Sequence, residues 1–217
     1  MFTVKRAATA ALALAALIGL GALVPNSSPT ADPVLVSAEA DPVTWKIRER
    51  IAKIAIEERN KPEDPPGSNN YPKHYQLNNN IVRPAEWCGV FVNWAWSQGG
   101  ASKIPQMKAP KDKKGKVKHK EQGHYATYWQ KWAKDTKRWK STPSLGDAVV
   151  FGNYPDGKGH VALVVDVKFD KKGKATHVKT VEGNVGQKVT YFDKWRKISD
   201  IRGGEGKRKV SGFVSPV

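Results

Sequence analysis

The period of the chain changes once, and that change limits the fold. Between residue 41 and about residue 139 apolar side chains recur at helical spacings, and from Leu145 onward they recur at the spacing of strands. Helices first and an antiparallel meander afterwards make an α+β domain, because a parallel sheet would need the two kinds of element to alternate. Three helices are expected. The first covers 41 to about 59, starts at Asp41-Pro42 and carries one stripe of Ile47, Ile51, Ile54 and Ala55. The second begins near Cys88, with Pro84 suited to a first turn and Gly99-Gly100 as the stop, and Val90, Phe91, Trp94 and Ala95 on the face to be buried. The third covers about 124–139, and its Tyr125, Tyr128, Trp129 and Trp132 read as core. Five strands follow at 146–151, 160–167, 175–182, 188–195 and 210–214; the second is apolar on both faces and therefore central. The Pro-, Gly- and Asn-rich stretch 60–80 is a loop. Its Asn69, Tyr71, His74 and Tyr75 are candidates for a cleft wall, although loops carry such residues for no chemical reason.

Ahead of all this, Lys5-Arg6 precede an alanine- and leucine-rich run over 7–24, the pattern of a secretory signal. Pro25-Asn26-Ser27-Ser28-Pro29 follows at once, so a retained membrane span is not expected. No cysteine follows the run, which argues against a lipid anchor. Val36-Ser37-Ala38 and Ala38-Glu39-Ala40 both fit a small-residue cleavage rule. Residues 1–40 are therefore read as a signal peptide with a short pro-stretch, 41–217 as a single domain, and the protein as secreted, extracellular or wall-associated. Lys5, Arg6, Asp32 and Glu39 cancel, so the whole net charge of +17 belongs to residues 41–217. Such a surface favours anionic polymers. The densest run, 108–120, holds seven lysines and one aspartate and reads as a solvated loop. It has no arginine and no aromatic ring, so specific nucleic-acid binding is not expected.

Cys88 is the only cysteine of the 217 residues. Free cysteine is commonly a small core hydrophobe. An unpaired thiol in an exported chain, however, calls for a catalytic role, an intermolecular bond or burial. At a helix start it also faces unpaired N–H groups and the positive dipole end, both of which favour a thiolate and an adjacent oxyanion site.

A base has to reach that thiol from the strands. If Asp170-Lys171-Lys172-Gly173-Lys174 is a three-residue turn with Gly173 left-handed, Asp170 pairs with Lys174. Counting back then puts His160 opposite Asn184 and Ala162 opposite Glu182, with Glu182 and Asn184 on the face of His160. A two-residue loop would turn both polar side chains away. In that register His160 serves as general base to Cys88, with Glu182 or Asn184 holding the ring. His74, His119, His124 and His177 are weaker candidates, with no pairing at metal-ligand spacing.

Four segments, Trp87-Cys88-Gly89-x-Phe91-Val92-x-Trp94, Gly146-Asp147-x-Val149-x-Phe151, Gly159-His160-Val161-x-x-Val164 and Val181-Glu182-Gly183-Asn184, together resemble the CHAP family of cysteine, histidine-dependent amidohydrolases/peptidases. The likeness runs from about residue 47 to Gly212-Phe213-Val214-x-Pro216. It implies a papain-like core, with N-terminal helices on a C-terminal antiparallel sheet. It also implies hydrolysis of amide bonds in bacterial peptidoglycan, at N-acetylmuramoyl-L-alanine links or within the stem peptide and cross-bridge. Carried over, it makes Cys88 the nucleophile, His160 the base, Glu182 the orienting carboxylate and Asn184 a further polar member. Some members carry an acidic calcium loop ahead of the nucleophile; here Glu63-Asp64 is the only acidic pair in the region before Glu86, and no metal or cofactor is expected. No appended wall-binding module is recognisable, and the lysine run is a candidate substitute. Peptidoglycan and anionic wall polymer are the expected partners of a monomer. The rival readings are a cationic, non-catalytic wall- or partner-binding protein on the same fold, and an enzyme acting on a small non-wall amide.

Overall fold

The computed structural model describes residues 41–77, 86–204 and 207–217. The leader 1–40 and Pro84 lie outside them. Among the described residues three α-helices precede an antiparallel sheet, as the change of period requires. Helix α1 (Pro42–Glu57) is capped by the Asp41 carboxylate, which accepts from the Val43 N–H, and it has Pro42 in its first turn. Helix α2 (Cys88–Gly99) ends on Gly100 in the left-handed conformation. Helix α3 (Tyr128–Asp135) is shorter than its aromatic pattern suggests. Residues 121–127 form turns, Lys137 has positive φ, and Trp139 has already entered a strand. Of the aromatic set Tyr128, Trp129 and Trp132 are buried core as expected, and Trp96, Trp129 and Trp132 pack ring on ring, whereas Tyr125 is half-buried ahead of the helix and lines the cleft described below.

The strands are β1 (Trp139–Lys140), β2 (Ala148–Phe151), β3 (His160–Phe169), β4 (Ala175–Glu182), β5 (Thr190–Lys197), β6 (Arg202–Gly203) and β7 (Arg208–Val214). They pair in the order β1-β7-β2-β3-β4-β5, with β6 on β7. Five match the expected strands. The two-residue strands β1 and β6 are too short to show a period. Alternation places Val150, Val161, Leu163 and Val181 in one hydrophobic cluster and Val149, Phe151, Ala162, Val164 and Val178 in another, so the sheet is covered on both faces.

Helix α2 lies between α1 and strands β3 and β4 and is buried from Cys88 to Trp96. The expected single buried stripe is thus an underestimate. An interior helix has no solvent face to keep polar, and its one polar intruder, Asn93, donates to the Pro105 carbonyl at 2.9 Å. Among the described residues no helix is long and apolar enough to cross a membrane. In the loop after α1, Tyr71 and Tyr75 are fully buried in the core rather than set along a cleft.

Candidate active site

Three chain segments end at the same edge of the sheet. Strand β2 finishes at Phe151 opposite His160, the first residue of β3, and β4 finishes at Glu182. Helix α2 begins there as well, because Gly183 lets strand and helix touch: a Cβ at that position would lie 2.6 Å from the Phe91 Cβ and 3.0 Å from the Trp87 ring. Cys88 is the first residue of that helix, and no side chain caps its N-terminus.

The hairpin behaves as its turn dictates. Gly173 has φ +74°, and the Asp170 N–H donates to Lys174 O at 2.9 Å. Two bulges then interrupt β3 and β4, one extra residue at Val165 and one at Thr176, and they cancel. Leu163 therefore pairs with Val181, and one more step places Ala162 opposite Glu182, the expected register. Glu182 lies diagonally across from His160 on the same face, within reach of a long side chain. Asn184 does not follow it. It sits beyond the strand end with φ +61°, and its amide donates to Glu86 Oε2 at 2.6 Å and to Asn69 Oδ1 at 3.2 Å instead of meeting the ring.

His160 is 5% exposed, and its Nε2–H donates to Glu182 Oε2 at 2.9 Å. Cys88 lines the same cleft and lies close enough to act on the charge of the ring; with Nε2 engaged by Glu182, Nδ1 is the nitrogen left for the sulfur. Burial works against a charged ring. The hydrogen bonds and negative charge of Cys88 and Glu182 outweigh it and raise the imidazole pKa to about 10. Glu182 is itself buried, which favours its neutral form. His160, Arg196 and Thr180 prevail and hold it below the usual carboxylate range. Its Oε1 accepts from Arg196 Nη1 at 2.9 Å and from Thr180 Oγ1 at 2.6 Å. The Arg196 guanidinium in turn lies 4.1 Å from the centre of the Phe192 ring.

Arg196, Thr180 and Glu86 were not singled out from the sequence. Thr180 was within reach of it, standing two residues before Glu182 and hence on the same face. Arg196 was not. Residues 193–195 of β5 are spliced in opposite the single residue Lys179, which moves Arg196 to a position no regular count would give.

Cys88, His160, Glu182, Asn184, Asn69 and Glu86 line a cleft of about 1010 Å³. His124 lines it too, its pKa lowered by burial and by the proximity of His119; its Nδ1 has no partner among the described residues. His74 is tied to Glu58 at 3.0 Å and His177 to Thr176 at 2.9 Å, both away from the thiol. A thiol, a ring that favours the protonated state and a buried carboxylate in line are what a cysteine nucleophile needs. The helix start beside the sulfur offers N–H groups to a developing oxyanion.

Residues 80–184 match the family model described as "CHAP domain". No curated protein and no solved structure matches the chain.

Proposed function

The chain carries a CHAP domain over residues 80–184, of a family of amide- and peptide-bond hydrolases, and we propose that it cleaves amide bonds of bacterial peptidoglycan outside the cell through an acyl-enzyme at Cys88. The single observation that supports this best is the buried His160 ring, hydrogen-bonded to the Glu182 carboxylate and sharing its cleft with the Cys88 thiol.

The steps follow from that sharing. The Cys88 sulfur attacks the carbonyl carbon while the proton resides on His160. The tetrahedral oxyanion is met by N–H groups at the start of α2. As the C–N bond breaks, His160 passes its proton to the leaving amine, and a thioester remains. Water then attacks the thioester with His160 taking its proton, the carboxylic acid leaves and Cys88 is restored. Glu182 stays ionised throughout and keeps Nε2–H pointed at itself, so that Nδ1 faces the sulfur. Asn184 acts away from the ring, where with Asn69 and Glu86 it fixes the wall of the cleft beside the nucleophile.

Location outside the cell is supported by the signal-like run over 7–24. Adhesion to anionic wall polymer is supported by the exposed lysines of 108–120, a small hairpin closed around Asp112. Deleting 111–120 should weaken co-sedimentation with isolated walls at low salt; binding that survives both the deletion and added salt would remove this part of the reading. The central test is Cys88→Ala. The variant should fold, judged by an unchanged melting temperature within a few degrees, and release no new amino groups from purified peptidoglycan. Full activity in it would end the proposal.

A further inference from the structure

The walls of the cleft differ in what they leave unused. On the side of Asn184 the polar groups satisfy one another, with Asn184 and Asn69 both donating to Glu86. Where the loop before β3 meets β6, the lining among the described residues is Gly157, Lys158, Gly159, Arg202, Gly203, Gly204 and Lys207, with no acid among these. Among the described residues Asp156 accepts from Arg208 at 2.7 Å and from the Lys158 N–H at 3.0 Å, and Asp200, whose pKa is lowered by the Ser199 hydroxyl and in part by the charge of Arg202, accepts from that hydroxyl at 2.7 Å.

Arg202 is exposed, and its head is tethered to the backbone by two hydrogen bonds. Its Nη1 donates to Ser199 O at 2.8 Å and to Ile201 O at 2.9 Å. Among the described residues Nη2 and Nε have no hydrogen-bond partner, and no carboxylate forms a salt bridge with Arg202. It also lines a second groove of about 380 Å³ with Phe192, Arg196, Lys197, Asp200 and Ile201. Arg202 and Phe192 border both spaces. A guanidinium oriented in advance and presenting a free N–H edge to a cleft suits a planar oxyanion, and less of the cost of ordering it falls on binding.

We propose that Arg202 anchors an anion subsite of the cleft that takes a free carboxylate of the substrate peptide, with Lys158 and Lys207 adding charge around it. The ligand class rests on the reading of the chain as a peptidoglycan hydrolase. Stem peptides carry free carboxylates beside their amide bonds, and converting such a carboxylate to its carboxamide removes both the charge and one acceptor. The subsite makes Arg202 a specificity residue that separates free from amidated peptides. It takes no part in bond making.

The test reads binding, so it does not depend on turnover. Cys88→Ala protein is titrated calorimetrically, at about physiological salt, with a stem-peptide fragment in its free-carboxylate form and in its carboxamide form. The free acid should bind roughly ten- to a hundredfold more tightly, the range of a hydrogen bond to a charged group. Adding Arg202→Met should erase that preference, and Arg202→Lys should keep part of it, since the charge remains and the fork is lost. The lysine variant also covers the case in which the methionine variant loosens the turn at Ser199. Equal affinity for the two forms, no binding of either, or a preference that survives Arg202→Met would overturn the subsite. A third arm uses a glycerol phosphate oligomer. Arg202-dependent binding of that probe alone would overturn the carboxylate assignment in favour of wall-polymer phosphate. Wild-type protein inert on every peptidoglycan would instead count against the hydrolase, whatever Arg202 binds.

Discussion

Two buried carboxylates in this molecule are each held by an arginine, and only one of them belongs to the cleft. Asp147 accepts from Arg48 at 2.6 Å, from Lys140 at 3.1 Å and from the Ser144 N–H at 2.8 Å. Arg48 also grips Leu145 O and the Ser215 hydroxyl, so the group pins α1 to the start of β2 and to the C-terminal end of the chain. Glu182 has an arginine too, but its second oxygen holds a histidine that reaches a thiol at the cleft. Burial dominates at Asp147 and pushes its pKa up, whereas the cations and hydroxyl around Glu182 prevail and push its pKa down. A buried ion pair is therefore no sign of chemistry by itself. Access and a titratable ring make the difference.

The sharpest way to break this comparison is to remove one residue from each network. His160→Ala should lower kcat/KM on a soluble amide substrate by about 10²- to 10⁴-fold, the usual contribution of general acid–base catalysis. Its melting temperature should fall less than that of Asp147→Ala. Asp147→Ala should show the reverse pattern, losing about 3–5 kcal/mol of stability by stranding Arg48 while activity per folded molecule stays close to wild type. Chemical denaturation alongside kinetics reads both. If Asp147→Ala folds normally and loses activity, the two networks are not separate.

That contrast also marks how far the sequence could be read. Asp147 stands in one of the motifs that carried the family resemblance, yet its contacts tie the fold together, and a motif cannot say which of its members touches substrate. The α+β order, the Gly173 turn and the pairing of Glu182 with His160 were legible because each rests on local spacing. The pairing was reached along a register that two bulges, at Val165 and Thr176, first break and then restore. Asn184 was placed on the ring's face by strand parity, and the strand stops too soon for parity to apply. The interior setting of α2 was hidden because one stripe of Val90, Phe91, Trp94 and Ala95 says nothing of the other face, where Gly89, Gly99 and Asn93 stand. They are close-packing points.

Next in size is Glu182→Gln. It keeps a side-chain oxygen for the ring but loses the charge that favours imidazolium, and kcat/KM should drop about ten- to a hundredfold. A drop as large as that of His160→Ala would mean that the ring loses its orientation altogether. The imidazole itself supplies a pH test. Its pKa stands near 10 against an ordinary 6.5, so the stability lent by protonated His160 is complete below about pH 6.5 and is lost as pH rises through about 10. Activity should fall over that same upper limit, as the ring loses the proton owed to the leaving amine. A pH–rate profile that breaks near 7 instead would show that the ring is not held by Cys88 and Glu182 together.

Arg196 gives the smallest and most selective effect. Its guanidinium and His160 share one carboxylate, so removing it takes a positive charge away from Glu182 without touching the ring or the thiol. A depressed carboxylate lends stability above its unfolded pKa and loses it as pH falls through the folded value. In Arg196→Met the depression is smaller, so the acid limb of both activity and stability should move to higher pH. The alkaline limb should hold or rise slightly, because His160 then faces one cation fewer. At neutral pH the loss in kcat/KM should stay below about tenfold, since Thr180 and His160 still hold Glu182 and the proton route is intact. Arg196→Lys should recover most of the acid limb. A merely structural arginine would lower the melting temperature and leave both limbs where they were, and that outcome would place Arg196 with Arg48 rather than with the site.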